Sequence, residues 1–343
     1  MRKIEIVDQM LLELEAGRAV ELVIVTGTEG SSPRAAGAWM AVFEDDRAAG
    51  TVGGGRVEEM ARREAAELLA TGRSRIVRYT MGGKNSDTGM ICGGAVRPCY
   101  LHLDSSVRDV LLHEREILAS RGEGVLRIDL TAFDTDGEPD DALPSGSAAA
   151  TMAGCPPIGI VSLPNQSSIA AGVHDGCYLE PICPEGFAYI FGCGHVGRAL
   201  APVLTAAGFV VVACDDRSDF LSEELLPQVA ERRLVDYREV AATCAITGRD
   251  LVISATATHG SDLSVVSQVL AMGSAYLGCL GSKKKTAFIH AELAKQGFTP
   301  EQISSIHMPV GAPIHAETPE EIAISIAAEM IDFRRTVLLP RPH

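Results

Sequence analysis

The sequence is short of basic residues, and that shortage excludes several classes of function. Thirty lysines and arginines are set against 45 aspartates and glutamates, so the 343-residue chain carries a formal net charge of −15 at pH 7. A surface this acidic repels the phosphates of nucleic acids and of anionic lipids. We therefore expect a protein that binds neither nucleic acid nor a membrane.

Long apolar runs and a secretory signal are missing as well. No apolar run approaches the roughly 20 residues that a membrane-spanning helix needs, and the basic residues at the start lead directly into acidic ones. The hydrophobic fraction is nevertheless 46%, which is enough for substantial cores. We expect a globular, cytoplasmic protein with at least two domains.

Paired cysteines are also absent. None of the nine cysteines belongs to a C-x-x-C motif, which argues against a zinc site and against a disulfide framework. Most lie in apolar runs, and we interpret them as buried small hydrophobes. Cys92 differs, because it lies between an irregular loop and two glycines, where little side-chain bulk would shield its sulfur. From its sequence setting alone, a structural and a functional role are equally open.

The most informative stretch begins at Phe187. An apolar run ends in a G-x-G-x-x-G motif at residues 192–197, and a helical pattern, a second apolar run and Asp215 follow. This order is typical of a dinucleotide-binding Rossmann domain, in which the glycines and the helix N-terminus hold a pyrophosphate and the acid binds the ribose. Asp215 would then favour a free ribose 2′-hydroxyl over a 2′-phosphate. A Rossmann fold that binds nothing is the alternative.

After Asp215, short apolar strands continue to alternate with helical patterns, which predicts a doubly wound parallel sheet. Ligands of such sheets bind beyond the carboxyl ends of the strands. His259 is either a ligand contact or a solvated loop residue, and the lysine-rich turn after Ser282 is either a phosphate site or a charged first turn. The residues predicted to bind a nucleotide are Gly192, Gly194, His195, Gly197, Asp215, His259 and Ser282.

The first sixty residues contain two further elements of a kind that binds phosphate. One is a hydroxyl-rich loop after the apolar run Val20 to Val25, and the other is a triple glycine before a predicted helix at 57–71. Three consecutive glycines are costly in backbone entropy, so either a ligand or another chain segment must approach closely. We favour an anionic ligand. The residues predicted to bind it are Ser31, Ser32, Arg34, Gly53, Gly54 and Gly55.

The chain is predicted to have three parts. Residues 1–120 read as an α/β domain and residues 121–185 as a β-rich connecting segment. Residues 186–343 form the Rossmann-like domain with its doubly wound parallel sheet. The predicted fold class is therefore α/β.

Together these motifs resemble the XdhC/CoxI family, maturation factors of molybdenum hydroxylases of the xanthine dehydrogenase type. The resemblance covers both ends of the chain, while residues 105–185 match only loosely. The matching segments are Gly30-Ser31-Ser32-Pro33-Arg34, Gly53-Gly54-Gly55, Ile91-Cys92-Gly93-Gly94, the glycine motif at 192–197, Asp215-x-Arg217, Thr258-His259, Gly281-Ser282-Lys283-Lys284-Lys285 and Glu317-Thr318-Pro319-Glu320-Glu321.

The resemblance implies a cofactor-insertion chaperone rather than an enzyme with its own turnover. It would bind the molybdenum–pterin cofactor, in a form that can be linked to a nucleotide, and deliver it in sulfurated form to an apo molybdenum hydroxylase. Cys92 becomes the candidate metal contact, because a thiolate is a soft ligand that suits molybdenum and its sulfur. We further expect a cysteine desulfurase as a partner and a homodimer as the assembly.

One segment departs from the family pattern. The family often has Pro-Ile-Gly-Leu-Asp-Ile-Gly before the last helix, and here residues 309–315 lack the aspartate. No ligand role is carried over to that turn, and the client need not be xanthine dehydrogenase itself.

Two other hypotheses stay open at the level of sequence. The Rossmann half alone would suit an NAD(P)-dependent oxidoreductase acting on a small molecule, although no Tyr-x-x-x-Lys pair accompanies it. A nucleotide-sensing regulator is the other hypothesis, and nothing specific favours it.

Overall fold

The computed structural model describes residues 1–30, 34–81, 94–120, 122–135, 158–163, 169–182 and 186–338. The chain divides into two compact units, Met1–Pro184 and Glu185–His343, which we call unit 1 and unit 2. In the described part of the chain, no helix is both long and apolar enough to cross a membrane.

Unit 1 combines helices with two sheets. Its helices are α1 (Lys3–Glu15), α2 (Gly55–Thr71) and α3 (Arg108–Ser120). Its strands are β1 (Val20–Glu29), β2 (Trp39–Phe43), β3 (Ala48–Gly50), β4 (Arg75–Ile76), β5 (Tyr79–Met81), β6 (Gly94–Leu103), β7 (Gly124–Asp129), β8 (Asp134–Thr135), β9 (Ile158–Val161), β10 (Gly172–His174) and β11 (Cys177–Ile182).

Among the described residues, the first sheet has the order β3-β2-β1-β6-β4-β8, with β5 also on β6, and the second has the order β10-β11-β7-β9. The central strand β1 is buried on both faces, which explains why its sequence is a continuous apolar run. Leu22 and Ile24 share a core with α1, α3 and the second sheet. Val23 and Val25 share another core with α2. The strands between 121 and 185 thus belong to the same compact unit as the first sheet.

A buried polar network joins the two sheets of unit 1. Glu180 on β11 is 4% exposed. Its Oε2 accepts hydrogen bonds from Trp39 Nε1 at 2.9 Å and from Tyr178 Oη at 2.6 Å, and Lys3 on α1 forms an ion pair with it. Because a buried carboxylate is stable only when its oxygens are satisfied, this network fixes β11 against β2 and α1.

The weak alternation from Arg75 to Thr80 predicts one strand, but the strand is interrupted. The structure splits it into β4 and β5, which both pair with β6. Pro98 lies in β6 opposite the break and accepts a hydrogen bond from Val77 N at 3.0 Å, but it has no N–H to return. The proline therefore ends regular pairing at this point.

Glu21 on β1 is fully buried, and neither carboxylate oxygen has a hydrogen-bond partner within the described residues. His102 on β6 is a neighbouring ionisable group, and its Nδ1 lies 3.5 Å from Glu21 Oε2. Burial raises the pKa of Glu21 from 4.5 to about 9. Between pH 4.5 and about pH 9, Glu21 is therefore protonated in the folded chain and ionised in the unfolded chain.

This proton makes folding stability depend on pH. Stability should fall as the pH rises through the range between the unfolded pKa of 4.5 and the folded pKa of about 9, because the unfolded state binds fewer protons there. From pH 5 to pH 8, the stability of the parent chain should fall by about 4 kcal/mol more than that of Glu21→Gln, which carries no titrating group at this position. Urea unfolding followed by circular dichroism at both pH values tests this. Equal pH dependence in the two proteins would contradict it.

Unit 2 consists of alternating strands and helices. Its strands are β12 (Phe187–Phe191), β13 (Val210–Asp215), β14 (Glu231–Leu234), β15 (Leu251–Ser254) and β16 (Tyr276–Cys279). Its helices are α4 (His195–Ala206), α5 (His259–Met272), α6 (Lys283–Lys295), α7 (Pro300–Ser304) and α8 (Pro319–Phe333).

The predicted doubly wound sheet is confirmed. The five strands are all parallel and have the order β14-β13-β12-β15-β16. Residues of α4 and α8 pack on one face, and residues of α5 and α6 pack on the other. The connections reverse direction between β12 and β15, and the carboxyl ends at such a switch point are where ligands of open α/β sheets bind.

The sequence pattern from Tyr237 to Ile246 predicts a helix, and this prediction is wrong. Only Val240–Ala242 forms a short 3₁₀ turn, because a side chain of α5 binds the backbone that a helix would use. The amide of Gln268 accepts from Val240 N at 2.8 Å and donates to Tyr237 O at 2.9 Å.

The interpretation of the cysteines is confirmed where it can be checked. The six described ones are free and buried. They are Cys99, Cys177, Cys193, Cys214, Cys244 and Cys279. Burial is also the largest influence on the thiol of Cys193, and it raises the pKa to about 12, so this residue behaves as a small hydrophobe beneath the glycine motif.

Candidate functional site

The glycine motif of unit 2 is tightly held at the carboxyl end of β12. Gly192 has φ +102°, and its N–H donates to Cys214 O at 2.8 Å. A Cβ at Gly192 would lie 2.3 Å from Ala255 O, and a Cβ at Gly197 would lie 2.0 Å from Gly192 O. These two glycines therefore serve close packing of the loop against β15 and of helix α4 against the loop.

The second glycine of the motif has a different environment. Gly194 is the N-cap residue of α4, and no described atom lies within 4 Å of a Cβ built on it. His195 is the first helical residue and is exposed. The N-terminus of α4 is thus uncovered, as a site for a pyrophosphate requires.

Asp215 lies at the predicted place, at the end of β13, but its carboxylate faces the protein. The side chain is 0% exposed, and Oδ2 accepts from Cys193 N at 2.7 Å. Arg217 donates three further hydrogen bonds to this carboxylate. Its backbone N–H and its Nε donate to Oδ1 at 3.0 Å and 2.8 Å, and its Nη2 donates to Oδ2 at 3.0 Å. Asp215 therefore ties the glycine loop to β13.

These contacts also decide the charge of Asp215. Burial opposes ionisation, but hydrogen bonds from Arg217 and from the Cys193 amide outweigh it and hold the pKa of this carboxyl below its usual range. The neighbouring Asp216 is 48% exposed. Burial, followed by the Asp215 carboxylate, raises the pKa of Asp216.

The tips of β15 and β16 are joined by a buried ion pair. Asp262 on α5 is 0% exposed and pairs with the ammonium group of Lys285 on α6. Its Oδ1 also accepts from Ser254 Oγ at 2.8 Å and from Thr256 N at 3.0 Å. Lys285 donates in addition to Leu280 O at 2.7 Å. Lys285 is thus a structural residue rather than a solvated phosphate contact.

The remaining predicted residues of this edge lie at helix starts. His259 is the first residue of α5 and is exposed. Ser282 is the N-cap of α6, and its Oγ accepts from Lys285 N at 3.4 Å. Lys283 and Lys284 are exposed. The fold brings the predicted residues of unit 2 to one edge of the sheet, while the side chains of Asp215 and Ser282 already make internal contacts.

In unit 1, the sheet register brings distant loops to one edge of the first sheet. Glu29 at the end of β1 pairs with Ala95 near the start of β6. Met40 near the start of β2 pairs with Gly50 at the end of β3. Met81 at the end of β5 pairs with Gly94, the first residue of β6. The Arg34 loop and the triple-glycine loop therefore leave the sheet at the same edge.

The triple glycine needs its glycines for backbone conformation. Gly53, Gly54 and Gly55 have φ values of +144°, +75° and +57°, a region that side chains disfavour. Gly53 N donates to Thr51 Oγ1 at 3.2 Å and Gly54 N donates to Glu58 Oε2 at 3.0 Å. No described atom lies within 4 Å of a Cβ at Gly54 or Gly55. The described chain therefore leaves open space over these two residues.

Of the other residues predicted to bind the cofactor in unit 1, Arg34 lies within the described residues and is exposed. Ser31, Ser32 and Cys92 lie outside the described residues, so their assignments stay predictions. Within the described ranges, no group of three or more His, Cys, Asp or Glu residues could hold a metal ion.

Sequence reasoning misses the side chains that hold these loops in place. The sequence places Glu58 in the first turn of a helix and in the segment that resembles the family, but it does not show that the Glu58 carboxylate accepts from the Gly54 amide and from the Thr51 hydroxyl. Asp262 and Lys285 are not recognisable as a pair, because 23 residues separate them. A spacing signal does exist for Asp215 and Arg217, since residues two apart at a strand end often form a side-chain turn contact.

Comparison with known families gives two matches. Residues 188–330 match the XdhC Rossmann domain, and residues 13–80 match the XdhC and CoxI family. Among solved structures, a xanthine dehydrogenase from Bacillus halodurans superposes with a TM-score of 0.77 at 22% identity, covering 98% of this chain and 97% of that one. That likeness concerns the fold.

Two curated relatives match nearly the whole chain, and a third matches part of it. A probable xanthine dehydrogenase subunit of Bacillus subtilis (strain 168) is 25% identical over 338 residues, covering 94% of this chain and 96% of that protein. The molybdenum cofactor insertion chaperone PaoD of Escherichia coli (strain K12) is 26% identical over 321 residues, covering 94% and 85%. The uncharacterized protein YqeB of E. coli is 33% identical over 145 residues, and the match spans only 27% of its length.

Proposed function

Because the chain belongs to the XdhC/CoxI family, we propose that it is a maturation factor for a molybdenum hydroxylase of the xanthine dehydrogenase type. It binds the molybdenum–pterin cofactor and delivers it to the hydroxylase in sulfurated form. The relative PaoD, which aligns with 94% of this chain, is named a molybdenum cofactor insertion chaperone. The cofactor is cargo in this function, and the activated product is another protein.

The convergence of loops at one edge of the first sheet of unit 1 is the observation that carries this proposal. The Arg34 loop follows β1, the triple-glycine loop follows β3, and the segment that contains Cys92 is flanked by the paired residues Met81 and Gly94. A phosphate-bearing cofactor with a soft metal centre needs a cation, an approachable backbone and a soft ligand in one place. The described residues of this edge supply the cation at Arg34 and an approachable backbone at Gly54 and Gly55, and Cys92 is proposed as the soft ligand.

Different residues at this edge bind different parts of the cofactor. Arg34 supplies a fork of donors for the phosphate of the pterin. The open space over Gly54 and Gly55 lets the flat pterin lie against the backbone. The Gly54 amide already donates a hydrogen bond to the Glu58 carboxylate. The phosphate is therefore bound by Arg34 rather than by this amide. Ser31, Ser32 and Cys92 complete the site, with Cys92 toward the molybdenum.

The partners follow from the cargo. We propose an apo-hydroxylase as the recipient, a cysteine desulfurase as the source of the terminal sulfur, and a homodimer as the form that docks. The glycine motif of unit 2, with its uncovered helix N-terminus, would hold a nucleotide of the NAD(P) kind. Transfer in the cytoplasm fits these partners.

A co-expression experiment tests the function. A molybdenum hydroxylase would be produced with this protein, with its Cys92→Ser form, with a Cys177→Ser control or with neither. Specific activity per enzyme chain and cyanide-labile sulfur of the enzyme would be measured. We expect Cys92→Ser to lower both by about ten-fold or more, because a soft ligand is lost, and Cys177→Ser to have no effect, because its thiol lies in β11.

The outcomes separate the hypotheses. Full activity and full sulfur content without this protein would contradict a maturation role for that client. Equal molybdenum content of the parent and Cys92→Ser proteins after anaerobic purification would remove Cys92 from the site. Turnover of a small substrate by this protein alone would instead support an NAD(P)-dependent oxidoreductase.

A further inference from the structure

The outer face of helix α8 in unit 2 is apolar although it is exposed. Ile324 is 53% exposed and Ile331 is 37% exposed, and Ala328 lies between them and is exposed as well. Residues three, four and seven apart share one side of a helix, so these side chains form one stripe. The opposite side of α8 packs into the core that contains α4. Because a helix that is apolar all round is normally buried, the stripe indicates a surface that a partner covers.

A charged residue stands at each end of this stripe. Glu320 lies in the first turn of α8, and Arg335 lies in the helical turn that continues α8 beyond Phe333. Both are exposed, and no ion pair within the described residues uses either of them. We call Glu320, Ile324, Ala328, Ile331 and Arg335 the α8 stripe. Its acid and its base are available to charges on another molecule.

The spacing of the α8 stripe is the same in both directions. Ile324 follows Glu320 by four residues, Ile331 follows Ile324 by seven, and Arg335 follows Ile331 by four. A two-fold axis between residues 327 and 328 would therefore bring Ile324 of one copy opposite Ile331 of a second, antiparallel copy. The same axis would bring each Glu320 opposite the Arg335 of the other copy. Such a self-complementary patch is what an isologous dimer interface requires.

Two further features suit an antiparallel helix pair. Ala328 lies next to the axis, and its small side chain lets two helices approach to about 8 Å, the lower end of the usual interaxial distance. Antiparallel packing also places helix ends of opposite partial charge side by side. A lipid surface is disfavoured, because Glu317, Glu320, Glu321 and the net charge of −15 repel anionic lipids.

We infer that the α8 stripe binds the α8 stripe of a second copy of this chain, antiparallel, about a two-fold axis between residues 327 and 328. This inference rests on the homodimer of the proposed function and gives it a surface, but it does not depend on cofactor delivery. Because α8 has 15 residues, the helix is about 22 Å long, and the contact is smaller than the roughly 1,200 Å² of a standard interface. We therefore expect a dissociation constant in the micromolar range.

Sedimentation of the full-length protein tests the dimer. Runs from about 1 to about 200 μM should show a monomer that converts to a dimer. Ile324→Glu should weaken the dimer about ten-fold or more, because it places a carboxylate in an apolar contact. Leu12→Glu is the matched control and should leave the dimer unchanged, since Leu12 is 64% exposed on α1 in unit 1. Because both sites are exposed, both variants should keep the Tm of the parent chain.

A charge exchange tests the antiparallel arrangement itself. Arg335→Glu should weaken the dimer about five-fold, because it sets two acids opposite each other at both ends of the contact. Glu320→Arg added to the same chain should restore the affinity of the parent, because the axis brings the exchanged charges together again. A structural role of Arg335 within one chain would not give this recovery, since 15 residues of helix separate the two positions by about 22 Å.

The outcomes distinguish the occupants of the α8 stripe. A monomer at every concentration, an unchanged dimer in Ile324→Glu, or no recovery in the charge-exchanged chain would each overturn the inference. A monomer whose Ile324→Glu form activates a co-expressed molybdenum hydroxylase less well would overturn it and assign the α8 stripe to the hydroxylase. The expected dimer in a protein that activates no hydroxylase would support the inference and contradict the proposed function.

Discussion

Gly197→Ala is expected to destabilise unit 2 by about 3 kcal/mol or more, although alanine is the better helix former. The new Cβ would lie 2.0 Å from Gly192 O and 3.3 Å from Ile190 Cγ2. The loop cannot move aside, because Gly192 N is bonded to Cys214 O and the space beside Gly192 is filled by Ala255. Helix α4 would have to shift away from the sheet.

Gly194, the N-cap of the same helix, provides the matched control. No described atom lies within 4 Å of a Cβ there, and its φ of −70° suits any residue. Gly194→Ala should cost less than about 1 kcal/mol, the range for an N-cap change from glycine to alanine. Calorimetric melting of both variants checks this. Equal melting temperatures for the two would contradict the packing argument and would leave the motif without a structural reason for its third glycine.

Asp262→Ala is expected to cost unit 2 about 4 kcal/mol, the range for breaking a buried ion pair by removing one partner. Among the described residues, the ammonium group of Lys285, whose side chain is 11% exposed, would keep Leu280 O alone as a partner. The hydroxyl of Ser254 would also lose its acceptor. Lys284→Ala, on the exposed face of α6, should change stability by less than about 0.5 kcal/mol.

A double-mutant cycle isolates the pair itself. Asp262→Ala combined with Lys285→Met should lose less stability than the sum of the two single variants, because the second change removes the charge that the first one strands. Additive losses would show that Asp262 acts only through Ser254 and Thr256. The cycle would be measured by calorimetry at one pH, so that no other titration contributes.

The Rossmann unit could be predicted from the sequence because its signals are local. The glycine motif, the apolar strands and the Thr318 capping box each lie within a few residues. The order of the strands then follows from the regularity of doubly wound sheets. The error at residues 237–246 had a non-local cause, since its apolar spacing suited a helix but Gln268 binds its backbone.

The candidate site of unit 1 could be predicted only in part. The glycine and Arg34 loops have recognisable compositions, but their convergence depends on strand pairs such as Glu29 with Ala95, which are far apart in sequence. The direction of a side chain is equally non-local. Asp215 and Asp216 are adjacent and chemically identical, and the sequence does not show that Asp215 is the one held by Arg217 and the Cys193 amide.

Trp39 is the single tryptophan of the chain, and its indole N–H is bonded to the buried Glu180 carboxylate. Its fluorescence therefore reports on unit 1 alone. Separation of the two sheets of that unit would expose the indole to water and shift its emission to longer wavelength, while melting of unit 2 would leave the emission unchanged. One untagged protein can thus show, by tryptophan emission beside circular dichroism, which unit a substitution or a ligand affects.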